Sequence, residues 1–395
     1  MKNRMLAGGL ILSLAASTGL YATNGDTLIG VGAKTRSMGG AGIAFSHGAE
    51  STLVNPALIT HVPDTEISFG GTIFMPDVST QVDYGGTSSG MVDSDADISM
   101  IPAVAIVSQV RENLYVGAGM WGTAGMGVDF RGNPMLFDME TTLQLMQFAV
   151  PVAYKFDNLS LGIAPILQYG SLDIHYNFNG NNVGDGQNQD FGYGVSIGTV
   201  YHFDNGFNIG AMYKSEIKMN YAHSITAAAG AFGINVGDDL DQPAEFGIGL
   251  GWHFGPHGIA LDWKRIKWSS AEGYKQFGWD DQDVFALGYQ YEMEKWSLRL
   301  GYNHASSPVT IADGTTPQGA ALNMFNLLGF PATAEDHLTA GGTYVFNKSF
   351  SADFTAVYAF NAKNNANISG LFGPGSEIKN EHSELGMTVQ LNYKF

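Results

Sequence analysis

The sequence predicts an all-β fold, a fourteen-stranded antiparallel transmembrane β-barrel with an N-terminal hatch, or plug, inside its lumen. Three observations carry that expectation. Charged residues make up 14% of the 395, against about a quarter in an ordinary soluble protein, while glycine reaches 52 and aromatics 12%. From about residue 65 onward, apolar residues alternate with small or polar ones in short segments, which suits lipid on one face and a lumen on the other. Short and long connections also alternate, as turns and loops do at the two ends of such a barrel.

The first 22 residues have the layout of an export signal. Lys2 and Arg4 supply positive charge, Leu6 to Leu14 an apolar core, and cleavage after Ala22 follows. That core is too short to cross a bilayer and no other run approaches the ~18 apolar residues a helix needs, which excludes inner-membrane helices. The absence of cysteine excludes a disulfide scaffold, a thiolate metal site and a lipidated N-terminal cysteine. A net charge of −18 argues against nucleic acid, whose phosphates need clustered Lys and Arg. Acids such as Asp93, Asp95, Asp238 and Asp239 fall in predicted loops, where water solvates them.

Residues 23–64 form the next unit. Within it, Ser37 to Thr60 is too polar and glycine-rich for a membrane helix and lacks strand alternation. A linker, a small domain and a plug are all conceivable there. A linker would not carry Ile43, Phe45, Leu53, Val54, Leu58 and Ile59, which need burial, so composition favours the plug. Gly39, Gly40 and Gly42 allow close backbone approach, and in Asn55-Pro56-Ala57 the proline fixes its own φ and restrains Asn55. The run MGGAGIA, about a dozen further residues, then NPA followed by Leu58, resembles the N-terminal hatch of the FadL-type outer-membrane transporters of long-chain fatty acids and hydrocarbons. The resemblance extends to the layout of the whole chain: signal, hatch, barrel and terminal Phe395.

Residues 65–395 are the barrel. In Phe207 to Lys214, one face holds Phe207, Ile209, Ala211 and Tyr213, the other Asn208, Gly210, Met212 and Lys214. Trp296, Leu298, Leu300 and Tyr302 likewise alternate with Ser297, Arg299, Gly301 and Asn303. Six tight turns are predicted, near Glu112, Asp157, Asp204, Pro256, Glu294 and Asn347. Seven longer loops fall near 81–96, 131–142, 179–190, 223–241, 271–281, 307–334 and 363–383, and thirteen connections require fourteen strands. Aromatics just before the short turns (Phe156, Phe203, Phe254 and Phe346) suit an interfacial girdle. Tyr393 and Phe395 close the last strand and resemble the signal read by the barrel-assembly machinery.

Four clusters are candidate sites. Gly39, Gly40, Gly42, Asn55, Pro56 and Ala57 are assigned to hatch and gating. Gly117, Gly119, Gly122 and Gly125 crowd the third strand, where glycine favours bulges; the resemblance implies a kink there and a lateral gap through which apolar substrate leaves the lumen. The G-x-G-x-x-G spelling at Gly117–Gly122 opens no helix and is not a dinucleotide site. Met135, Leu136, Phe137, Met139, Leu143 and Met146 are unusually apolar for an exposed loop and predict a short amphipathic helix that captures greasy ligands, or loops packed together over the mouth. Similar material recurs at 225–236 and 320–330. Lys214, Lys264 and Arg299 point inward by alternation, to meet a ligand carboxylate or to pair with lumen acids such as Glu216 and Asp262.

The ten histidines show no metal spacing, no cofactor motif is present, and no nucleophile elbow marks an enzyme. The resemblance therefore implies passive transport of fatty acids or hydrocarbons by a monomer set among outer-membrane lipid and lipopolysaccharide. A general diffusion porin or an adhesin-type barrel would also explain the strands, though neither needs a plug.

Overall fold

The computed structural model of the chain describes residues 23–184 and 186–395, so the export signal expected over 1–22 lies outside the described residues. Period-two segments build one antiparallel wall. Its strands are β1 (Thr65–Tyr84), β2 (Ser99–Arg111), β3 (Leu114–Asp129), β4 (Glu140–Ala149, resuming as Val152–Phe156), β5 (Leu159–Phe178), β6 (Asn188–His202) and β7 (Phe207–Lys214). They continue as β8 (Glu245–Phe254), β9 (His257–Ile266), β10 (Gln282–Glu292), β11 (Trp296–Ala305), β12 (Asp336–Val345), β13 (Phe350–Asn367) and β14 (Glu377–Lys394). Each pairs with the next, and β14 pairs with β1 from Lys394↔Glu66 to Glu377↔Asp83. The wall thus closes at fourteen strands, the number the connections predict, and closure removes the unpaired edges that lipid could not satisfy.

Alternation sets the two faces. On β11, Leu298 and Leu300 are more than half exposed on the outside, whereas Arg299, Gly301 and Asn303 are buried within. Phe156, Phe203 and Phe346, beside the short turns, stay exposed at the rim. Pro151 interrupts β4 because it has no N–H for the ladder, and its carbonyl still accepts from Gly117 N at 2.9 Å.

Two expectations about the loops need correction. The connection expected over 363–383 is mostly strand: β13 runs to Asn367 and β14 starts at Glu377, with pairs such as Asn365↔Lys379 extending the hairpin. Cross-strand contacts such as Lys363 Nζ to Glu381, at 2.8 Å, let a polar hairpin continue where an apolar one would end. No amphipathic helix spans Met135–Met146; one 3₁₀ turn covers Pro134–Leu136, and Glu140 opens β4. There Thr141, Leu143, Leu145, Gln147 and Ala149 are buried while the residues between are more open, so strand periodicity, supported by β-branched threonines, prevails.

Before β1 comes a compact segment with a small ladder (Thr23–Asn24 with Thr27–Leu28), helix α1 (Ala33–Ser37) and 3₁₀ turns over Gly48–Leu53 and Pro56–His61. Nearly all of it is buried, and it reaches inward-facing groups on β5, β6, β9, β11, β12 and β14. Over the opposite, long-loop end lie α2 (Ser224–Ala231) and α3 (Pro317–Met324).

Candidate functional site

The glycine-rich run bends because Gly39 and Gly40 adopt φ of 67° and 86°, a region side chains disfavour. The bend offers its backbone to the wall. Gly39 N donates to Thr339 Oγ1 at 3.0 Å, and Asn303 Nδ2 donates to Gly39 O at 2.9 Å. Gly42 N and Ile43 N both donate to Asp262 Oδ2, at 2.7 and 2.8 Å. Asp262 is therefore a ligand of this turn, not of Lys214 or Lys264.

Asn55 joins this turn to the next. Its Oδ1 caps the 3₁₀ turn by accepting from Ala57 N at 3.0 Å, with Pro56 at the first helical position, where a missing N–H costs nothing. Its Nδ2 donates to Ile43 O at 2.7 Å and lies 3.3 Å from Thr199 O on β6. The wall must be thin for this fit: a Cβ on Gly198 would stand 1.8 Å from Asn55 Oδ1. Nearby His47 is buried, which pushes its imidazole down to about 3 and keeps it neutral while Nε2 bonds Ala41 O at 2.7 Å.

The third strand departs from its neighbour. Pairing with β2 runs from Arg111↔Leu114 to Ala103↔Trp121 and stops. Against β4 the register slips between Gly122 and Ala124, leaving Thr123 as an unpaired extra residue. Beyond it the N-terminal segment takes over: Thr27 pairs with Ala124, and Gly125 N donates to Asp26 O at 2.9 Å. Gly122 and Gly125 thus flank the departure, whereas Gly117 and Gly119 sit in the regular β2–β3 ladder opposite Val107 and Ala105.

Asp26 anchors that contact. Its carboxylate accepts from Tyr274 OH, from Gln242 Nε2 at 2.9 Å and from Thr27 Oγ1 at 3.1 Å. Complete burial lifts its carboxyl to about 6, and these three donors hold it from rising further.

Tyr274 also belongs to an apolar chamber under the long loops. Met126, Leu172, Ile174 and Ile225 line it together with Phe277, Trp279, Phe325 and Phe330. The Phe277 and Phe325 rings stack at 4.8 Å, and Trp279 meets Tyr274 at 4.7 Å. The remaining void is about 20 Å³. Further out, Phe137 joins Tyr84, Phe178, Phe232 and Phe372 in a cluster with ring centroids 5.7 to 6.4 Å from its own.

Of the apolar residues singled out between 135 and 146, Leu136, Met139 and Leu143 are buried and Met135 is half-buried, its carbonyl accepting from Tyr84 OH at 2.8 Å. Met146, on the outward register of β4, lies apart from them. Lys214 and Lys264 both bind Glu245, the latter at 2.9 Å, and not Glu216 or Asp262. Arg299 donates to Gln290 Oε1 at 2.5 Å and Thr343 Oγ1 at 2.9 Å, with Asp353 4.0 Å away. All three cations are engaged within the protein.

Sequence patterns missed Asp26, which meets Gln242 and Tyr274 from more than 200 residues away. The one available signal was the density of aromatics in 271–281, a segment otherwise set down as an ordinary loop.

A closed wall with a lipid-facing exterior, filled by the protein's own N-terminal segment, defines a transmembrane barrel of the occluded kind. The family model described as outer membrane protein transport protein (OMPP1/FadL/TodX) matches residues 10–395, and the chain belongs to that family. It is accordingly a protein of the outer membrane. A long-chain fatty acid transport protein of Escherichia coli O6:H1 is 24% identical, with 91% of this chain and 90% of that protein aligned. A 47 kDa outer membrane protein of Pasteurella multocida is 22% identical over 89% of both. Among solved structures, a Pseudomonas aeruginosa FadL homologue superposes with a TM-score of 0.75 at 15% identity, covering 94% of this chain and all of that one. The Pseudomonas putida toluene transporter TodX gives 0.68 at 17% identity over 93% and 99%.

Proposed function

We propose that the chain is a passive channel that brings hydrophobic small molecules, fatty acids or hydrocarbons, across the outer membrane and releases them sideways into the bilayer. Residues 23–64 act as the hatch. The observation that carries the reading is the departure of β3 from β2 after Trp121, with the N-terminal segment paired across the breach at Ala124. Moving residues 26–28 would leave an opening in the wall at the level of the bilayer. Transfer needs no chemistry or energy source, because each methylene that reaches lipid gains about 0.8 kcal/mol. An outlet in the wall must face lipid, which favours a monomer. The hatch contacts and the packed mouth speak against an open porin, and the loops' role is to close and admit, not to adhere.

The test is uptake of a labelled long-chain fatty acid and a labelled aromatic hydrocarbon by cells expressing the chain, beside empty cells and the double variant Asn55→Ala, Pro56→Ala. Uptake of at least one compound, reduced by the hatch variant at equal surface expression, is expected. Uptake of neither, with open-pore conductance in planar bilayers, would identify a porin.

A further inference from the structure

The lipid-facing wall is not uniform. Across β4 to β7 it carries an open apolar groove of about 670 Å³, within the ~300–1,000 Å³ range of ligand clefts. The register makes this groove. Thr199 and Ala211 pair across β6 and β7, and both are small for outward positions. Bulky, exposed neighbours surround them, Tyr154 and Leu161 on one side and Ile197 and Tyr213 toward the long loops. The floor is also thin, because Gly162 and Gly198 bring no side chain to the lumen; a Cβ on Gly162 would stand 2.4 Å from Ala57 N. The groove and the Asn55-Pro56-Ala57 turn therefore lie on opposite sides of one layer of backbone.

Lipid covers such a groove, and its depth in the membrane decides which lipid. Short turns lie on the periplasmic side. Tyr154 is three residues from Asp157 and Thr199 five from Asp204, roughly 10–17 Å along strands tilted by ~40°. The floor thus falls in the periplasmic half of a ~30 Å hydrocarbon layer, where the leaflet is phospholipid and not lipopolysaccharide. The adjoining turns choose the head group. Asp157 and Asp204 stand exposed at the rim, with Asn158 Nδ2 3.5 Å from Asp204 Oδ1. Lys155, the cation of the same hairpin, is on the inward register near His61 and His202. The next turn offers Arg111 and Glu112, one charge of each sign. A head group that presents an ammonium is attracted to this rim, whereas one that carries phosphate alone is repelled. We propose that the groove is a lipid-binding site that seats an acyl chain of a phosphatidylethanolamine-type lipid, with the ammonium held at Asp157 and Asp204.

The experiment takes the full chain from outer membranes in mild detergent, strips its lipid and offers equal amounts of phosphatidylethanolamine and phosphatidylglycerol with the same acyl chains. Native mass spectrometry then counts what stays bound. Phosphatidylethanolamine is expected to be retained about five-fold or more over phosphatidylglycerol. Ala211→Phe fills the floor with a side chain that suits a lipid-facing strand, and should cut retention about five-fold or more while the barrel keeps its resistance to heat in detergent. Thr199→Phe, from the other strand of the floor, repeats that test. Leu300→Phe, on the distant β11, should leave retention unchanged. Asp157→Asn combined with Asp204→Asn should still retain lipid but bring the two head groups within about two-fold of each other. Full retention in both floor variants, or an equal loss in Leu300→Phe, would mean ordinary annular lipid and overturn the site. Equal retention of the two lipids by the unaltered chain would overturn the role of the two aspartates.

Discussion

Asn55 satisfies three demands with one amide: it caps the 3₁₀ turn, ties down Ile43 and touches the wall at Thr199. A substitution on the wall tests that arrangement without altering the hatch. Gly198→Val places a Cβ 1.8 Å from Asn55 Oδ1, a clash the buried turn cannot absorb in place. Valine itself suits a strand. The barrel should therefore keep its resistance to heat in detergent, while amides between 41 and 60 exchange at least about ten-fold faster, as loss of a cap and buried hydrogen bonds worth ~1–2 kcal/mol requires. Unchanged exchange would mean that the turn is held by something other than this contact. At this scale the sequence was readable where chemistry is local. Asn55-Pro56-Ala57 announces a cap by its own spelling, and Gly39-Gly40 a bend. It was silent where chemistry is distant, since nothing near Asp26 hints at Tyr274, 248 positions on. Lys214 and Lys264 lie between these cases. Alternation put them inside, but the choice of Glu245 over Glu216 follows from the β7–β8 register, Lys214↔Glu245, which no short segment encodes.

Among the elements, β3 carries the most specific consequence. Thr123 is the residue without a partner on β4, so deleting it restores an unbroken ladder from Met146 to Leu145 and removes the local reason for the strand to bend away. If the outlet lies there, deletion of Thr123 should lower hydrophobic uptake about ten-fold at equal surface expression, because the transported molecule loses its exit while the barrel gains a regular strand pair. Undiminished uptake in that variant would place the exit elsewhere. Glycine density marked this strand in advance, yet it could not say which glycines matter. Gly117 and Gly119 share the density and sit in regular pairing, whereas Gly122 and Gly125 border the bulge. The misread helix between 135 and 146 has a related cause: seven apolar residues in a dozen satisfy helical and strand periods alike, and burial against the loops decided between them.

For the whole molecule, the open issue is whether the filling segment leaves the lumen or stays while the wall opens beside it. The barrel count, the closure and the two-faced wall were legible because lipid imposes them on every strand, fourteen times over. How the filling moves is a relation between two ends of one segment. Residues 26–28 touch β3, and Thr60 Oγ1 lies 2.8 Å from Ser160 Oγ on β5. With no cysteine in the chain, the double variant Thr60→Cys, Ser160→Cys can pin the second end alone under oxidising conditions. If molecules leave sideways at β3, uptake should survive oxidation within about two-fold, because the pinned end takes no part in clearing the breach. If the hatch must swing out as a body, oxidation should abolish uptake and a thiol reductant restore it. Measuring uptake before and after reduction in the same cells separates the two, since expression and folding are then identical on both sides of the comparison.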